Sequence, residues 1–141
     1  VSTTVRAGEG NDTIFVNATS GTASASTEFY AGAGNDFVSA MNGQQITIYA
    51  DASSADTAGG NDSLSINGLT SSTVYGAAGG DTLNIAGGSN VYLDLGSGTN
   101  YATGAGTYTS STLISGDGAD KLILNAVTGG GQFSAAGGAD S

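Results

Sequence analysis

The chain has 141 residues, 25 of them Gly and none of them Cys, His, Pro or Trp; twelve acids face two cations, Arg6 and Lys121, for a net charge of −10. That sign excludes a nucleic-acid partner. The missing Cys and His exclude a disulfide framework, a thiolate zinc site and the commonest general base, and apolar runs too short for a transmembrane helix exclude that kind of membrane span.

In chain order, one pattern keeps returning. The stretch AGEGND at 7–12 is a tight Gly-rich turn, followed at once by TIFV, whose alternation predicts a strand with one buried face. AGAGND at 31–36 leads into FVSA, and AGGND at 58–62 into SLSI. AAGGD at 77–81, GSGTN at 96–100, GDGAD at 116–120 and AGGAD at 136–140 complete the series. Aligned on Asp12, Asp36, Asp62, Asp81, Asn100, Asp120 and Asp140, the basic period is 19–20 residues, and two early repeats carry the insertions NATSGTASAS and DASSADT.

Other positions fall into register with this file. Two residues after it stand Ile14, Val38, Leu64, Leu83, Ala102 and Leu122. Four after it stand Val16, Ala40, Ile66, Ile85, Gly104 and Leu124. Seven before it stand Val5, Phe29, Val74, Leu93, Leu113 and Phe133, with Ile48 in the same role once DASSADT is skipped. A flexible Gly/Ser linker has no reason to keep several columns aligned. Second turns are predicted at Asn42-Gly43, Asn67-Gly68, Gly87-Gly88 and Gly129-Gly130, so one repeat reads strand, turn, strand, Asp-turn. Such a unit buries its apolar face only by stacking on its neighbours. The expectation is one all-β domain over residues 1–141, a parallel β-solenoid of about seven two-strand coils. Beginning at VSTT and ending inside a repeat, the chain reads as a segment of a longer, processed or polymerised protein.

Stacked strands lie about 4.8 Å apart. One carboxylate per coil at that spacing repels its neighbour by about 3 kcal/mol at an effective dielectric near 20, so stacking needs a counter-charge from solution. Calcium fits, because it takes six to eight oxygens, backbone carbonyls included, at flexible geometry. The expected ligand set is Asp12, Asp36, Asp62, Asp81, Asp120 and Asp140, with Asn100 marking a weaker or empty site. Gly8, Gly10, Asn11, Gly32, Gly34, Asn35, Gly60, Asn61, Gly79, Gly116 and Gly118 shape the turns around the ions.

These turns, best in AGEGNDTIFV, AGAGNDFVSA and SGDGADKLIL, resemble the Gly-Gly-x-Gly-x-Asp-x-U-x nonapeptide of the RTX family. The resemblance runs over essentially the whole chain and implies a Ca²⁺-binding β-roll. It departs in one respect: RTX rolls place an Asp-turn at both ends of a coil, whereas here it recurs once per 19–20 residues. A single line of calcium along one edge is therefore expected.

Competing chemistries are weak. The turns lack the Lys-Ser/Thr of a phosphate loop. The residue between the two turn glycines varies from Glu9 to Gly137, so no regular ice-matching array of Thr exists there. The acids outside the file are Asp51, Asp56, Asp94, Asp117, Glu9 and Glu28, with Arg6 and Lys121 far apart in sequence, and no catalytic site is expected. Tyr30, Tyr49 and Tyr75 share one outward position, either as a cross-strand ladder or as a contact face for another subunit or a cell-surface polysaccharide. Together these features resemble RTX-type surface-layer proteins. They imply a secreted structural protein of a bacterial cell surface or extracellular filament that self-assembles as a homo-oligomer or polymer. The alternative is a calcium-dependent accessory or secretion module of a secreted enzyme or adhesin.

Overall fold

In the computed structural model, residues 2–17, 26–52, 57 and 59–141 are described, so most of both insertions (18–25, 53–56 and 58) lies outside the described residues. Among the described residues thirteen strands follow one another: β1 Thr3–Glu9, β2 Thr13–Asn17, β3 Thr27–Ala33, β4 Phe37–Met41, β5 Ile46–Tyr49, β6 Ser63–Thr70, β7 Thr73–Tyr75, β8 Thr82–Ser89, β9 Tyr92–Asp94, β10 Tyr101–Thr109, β11 Thr112–Ile114, β12 Lys121–Thr128 and β13 Gln132–Ser134. The odd-numbered strands form one sheet and the even-numbered strands the other. Every pairing is parallel, because each strand meets the equivalent strand of the next rung. The result is a β-solenoid of about six turns.

The columns read from the sequence supply much of the core, joined by Ile46, Leu69, Val91 and Leu95, while Val5 on the first rung is 40% exposed. Val5, Phe29, Ile48, Val74, Leu93, Leu113 and Phe133 are successive register partners in the first sheet. Facing them across a narrow interior stand Val38, Leu64, Leu83 and Ala102 from the second sheet, all essentially inaccessible. Each interior leucine buried this way contributes about 2–3 kcal/mol. The fifth rung breaks the pattern with Gly104 and mends it with Tyr108. A Cβ on Gly104 would lie 2.9 Å from Tyr108 Oη, so the missing side chain makes room for the ring. Tyr108 donates its hydroxyl proton to the carbonyls of Ile85 at 2.9 Å and Ala105 at 3.1 Å.

The second turns fall elsewhere than the Gly pairs predict. Asn67-Gly68 and Gly87-Gly88 lie inside β6 and β8, where Gly68 (φ 62°) and Gly87 (φ 69°) bend a continuing strand. The reversal is made by one residue in the left-handed region, Ser71 (φ 48°), Asn90 (φ 52°) or Ser110 (φ 51°). A kink at glycine leaves the ladder of Leu69 with Gly88 intact beyond it, so the chain turns only where pairing ends. Asn42 (φ 56°) and Gly129 (φ 95°) do sit at the ends of their strands. Among the described residues no helix is long and apolar enough to cross a membrane.

Candidate metal centre

The Asp-turns line up along one edge, those at Asp12, Asp36, Asp62, Asp81, Asn100 and Asp120 each sitting between a strand of the first sheet and a strand of the second, and that at Asp140 following β13. Two residues before the Asp, glycine is a matter of space. A Cβ added to Gly34, Gly60, Gly79, Gly98, Gly118 or Gly138 would strike the carbonyl oxygen of the equivalent glycine one rung earlier. Most of these residues also take positive φ, such as Gly79 at 132° and Gly98 at 135°, but Gly60 does not and is glycine for room alone. The turn therefore carries a file of closely stacked carbonyls.

The carboxylates do not fan out into water. Asp36, Asp62, Asp81 and Asp120 are each at least 97% buried, and Asn100 with them. One oxygen of each acts as a rung. Asp36 Oδ1 accepts the backbone N–H of Asp12 at 2.7 Å, Asp62 Oδ1 that of Asp36 at 2.7 Å, and Asp81 Oδ1 that of Asp62 at 2.9 Å. Asn100 Oδ1 accepts from Asp81, Asp120 Oδ1 from Asn100, and Asp140 Oδ1 from Asp120, at 2.9, 2.8 and 3.0 Å. The ladder thus runs unbroken through all seven file positions.

The other oxygen is the unusual one. Oδ2 of Asp12, Asp36, Asp62, Asp81 and Asp120 is buried without any hydrogen-bond partner. An unsatisfied buried acceptor costs about 1–3 kcal/mol, and more when charged, so five of them oppose folding by an amount comparable with the 5–15 kcal/mol net stability of an ordinary domain. Asn100 shows what surrounds that oxygen. Its Nδ2, in the place of the missing Oδ2, donates to the carbonyls of Ser115 at 2.8 Å and Gly96 at 3.3 Å. Around Asp81 the same register brings up Leu95: a Cβ on Gly76 would stand 2.5 Å from Asp81 Oδ2 and 2.7 Å from the Leu95 carbonyl oxygen. A buried carboxylate oxygen facing backbone carbonyls is oxygen against oxygen. The place is shaped for something positive.

The acids respond accordingly. Burial pushes the Asp62 carboxyl up to about 7, against the backbone N–H of Asp36, and nearby Asp81, Asp51 and Asp36 raise it further. Burial likewise raises Asp81 to about 6 and lifts Asp36 above the usual carboxylate range. Among the described residues no three acidic side chains converge on one point. A cation here would be held by file carboxylates together with carbonyls, an all-oxygen set that suits a hard ion.

The remaining residues named from sequence divide by role. Asn11 and Asn35 carry a second ladder: Oδ1 of Asn11 accepts the N–H of Asn35 at 2.9 Å, and Asn35 Oδ1 that of Asn61 at 2.7 Å. Asn61 Oδ1 continues it by accepting from Gly80 at 2.6 Å. These oxygens serve the backbone on the exposed side of the turn. Gly10, Gly34, Gly116 and Gly118 take positive φ in the turns, whereas Gly8 and Gly32, expected there too, lie inside β1 and β3 and pair with each other, their positive φ bending the strand ends. Asp51, on the second insertion, is 1% exposed and was missed as part of this edge. Its carboxylate accepts the N–H of Gly60 at 3.1 Å and of Ala78 at 3.2 Å, bracing two neighbouring turns. Only its place before a Gly-Gly-Asn-Asp turn hinted at this.

Tyr30, Tyr49 and Tyr75 stack in one column, with ring centroids 4.5 and 5.2 Å apart and planes within 12° of parallel. The column continues to Tyr92 at 6.1 Å and is capped by the Arg6 guanidinium, 3.9 Å from the centre of the Tyr30 ring. Tyr92 escaped the sequence reading because it is two positions earlier in its repeat than the other three. The inner rings lie face to face, as in a cross-strand ladder.

Comparison with family models, with curated proteins and with solved structures gives no match. The functional reading rests on the residues themselves.

Proposed function

We propose that this chain is a non-catalytic, calcium-stabilised structural module of a secreted bacterial protein, of the kind that builds surface layers or extracellular filaments. The observation that carries the reading is the file of five buried Oδ2 atoms without partners, running along an edge that also presents carbonyl oxygens. Asp12, Asp36, Asp62, Asp81 and Asp120 would hold the ions with carbonyls of their turns, and the bound ion would supply the positive charge that the two cations of the chain cannot. Calcium suits an all-oxygen site of loose geometry; magnesium asks for a near-ideal octahedron and zinc for N or S ligands.

A structural role is supported by what the other acids do. Asp51 is committed to two backbone N–H groups, and Asp94 to the Tyr92 hydroxyl at 3.1 Å and the Gly96 N–H at 3.0 Å. Because a cation binds the stacked state and not the unfolded chain, its binding energy becomes folding energy. The test is far-UV circular dichroism of the chain in chelator and in calcium, with bound calcium counted by equilibrium dialysis and the calcium form viewed by electron microscopy. Calcium uptake with a gain of β-structure or stability, followed by sheets or filaments, is the expected result. Full stability in chelator with no calcium retained would refute the cation, and dispersed single particles would refute the assembly.

A further inference from the structure

Asn100 is the odd member of a file that is otherwise acidic, and its surroundings are those of its neighbours. It is 1% exposed, between Asp81 at 0% and Asp120 at 1%. Its Oδ1 makes the same ladder bond, to the N–H of Asp81. The strands on either side keep their register through it, Tyr101 pairing with Thr82 below and Lys121 above. Only the second side-chain atom differs, and only there is that atom satisfied. The amide Nδ2 donates to two carbonyls, where each equivalent buried carboxylate oxygen has no partner.

We infer that Asn100 is a built-in substitute for the cation: its amide nitrogen stands where the ion acts in the acidic rungs, so that Asp or Asn at this file position decides, rung by rung, whether a turn needs a cation to close. This rests on the proposed function for the identity of the ion, and on geometry alone for the role of the amide. Asp and Asn are the same size and share the Oδ1 that the ladder requires. They differ in that the amide brings two N–H donors and no charge. A neutral donor against two carbonyls closes the turn from within the chain. The acid closes it only with a partner from outside. Asn100 accordingly divides the file into a run from Asp12 to Asp81 and a run from Asp120 to Asp140, with one rung between them that takes no ion.

The consequence runs against the usual effect of removing a metal ligand. In chelator at neutral pH, Asp62→Asn with Asp81→Asn should make the chain more stable, raising the folded-to-unfolded ratio at least about tenfold by replacing two buried, unpartnered oxygens with amide donors that face carbonyls. Bound calcium should fall in the same variant. Asn100→Asp should lower the ratio in chelator by about tenfold and raise the calcium bound, since it re-creates the unsatisfied oxygen. Urea unfolding of the full chain in chelator and in calcium, with calcium counted by dialysis, reads all of these. If Asn100→Asp fails to fold in chelator, recovery on adding calcium supports the inference, and failure in both media overturns it. Asp81→Ala, which also removes the ladder oxygen, should weaken the chain in both media; an equal loss from Asp81→Asn would overturn the inference. A wild-type chain that takes up no calcium refutes the proposed function, whereas calcium uptake untouched by the Asn100 and Asp81 changes overturns this inference alone.

Discussion

Raising the pH of the chain in chelator should weaken it, the reverse of ordinary acid denaturation. The perturbation acts on Asp62 and Asp81, whose carboxyls burial lifts to about 7 and about 6 from an ordinary 3.8. A raised carboxyl pKa means the folded state holds its proton more tightly than the unfolded chain does. The resulting stability is complete below about pH 4 and is lost as pH climbs through the folded-state values, flattening above about pH 7. Moving from 3.8 to about 7 and about 6 corresponds, at 1.36 kcal/mol per pH unit, to several kcal/mol, of which about 3–4 kcal/mol falls between about pH 5 and about pH 8. Asp36, raised in the same direction, adds to the trend. The assay is urea unfolding followed by tyrosine fluorescence, in chelator, at about pH 5 and about pH 8. In saturating calcium the slope should vanish or reverse, because protons and the ion compete for the same oxygens. A chelated chain equally stable at both pH values, or more stable at the higher one, would show that these carboxylates are not buried in the folded molecule.

Two further perturbations test the packing of the edge and of the outer face. Gly79→Ala should be severely destabilising, about 4 kcal/mol or more, because its Cβ meets the Gly60 carbonyl and the residue also sits at φ 132°; Gly10→Ala, at φ 111° with open space around it, should cost only the backbone strain of about 1–2 kcal/mol. Equal urea midpoints for the two variants would deny that rung spacing sets the glycine requirement. Tyr49→Ser removes the middle ring of the stack and should cost about 1–3 kcal/mol in urea unfolding, since two neighbouring ring contacts go with it; an unchanged midpoint would mean the ladder adds nothing to stability.

How much of this was legible in the residues differs from one side of the coil to the other. Columns such as Val74, Leu93 and Leu113 could be read because strand periodicity and a fixed repeat length leave one register that buries all of them. The line of Asp could be read for the same reason. Its orientation could not: nothing in Gly-x-Gly-x-Asp says whether the carboxylate points outward or turns in to cap the N–H of the previous rung. That depends on the stacked carbonyls leaving an amide exposed at that point. The second turns were misjudged because Asn67-Gly68 and Gly87-Gly88 carry strong turn chemistry, yet ladder pairing on both sides outweighs local preference and reduces them to bends. Ser71 and Ser110, which do turn the chain, carry no such signal.

The two edges of the coil therefore have different energetic characters. At the Ser71, Asn90 and Ser110 edge, closing a rung costs one residue in the left-handed region, a local strain of about 1–2 kcal/mol that no solution component alters. At the Asp edge, closing a rung buries a carboxylate oxygen without a partner, a cost of about 1–3 kcal/mol or more that a cation or a proton can remove. Each rung also gains several core residues, Leu83, Ile85, Leu93 and Leu95 in one of them, each worth about 2–3 kcal/mol before the entropy of ordering the chain is set against it. In a solenoid these terms repeat and add, because each rung touches only its neighbours. Of these terms only the one at the Asp edge changes with the solution, so the pH or a cation moves the stability of the stack through that edge. A small change per rung at that edge then adds up to a large change for the whole molecule, whereas the strain at the opposite edge stays the same in every medium.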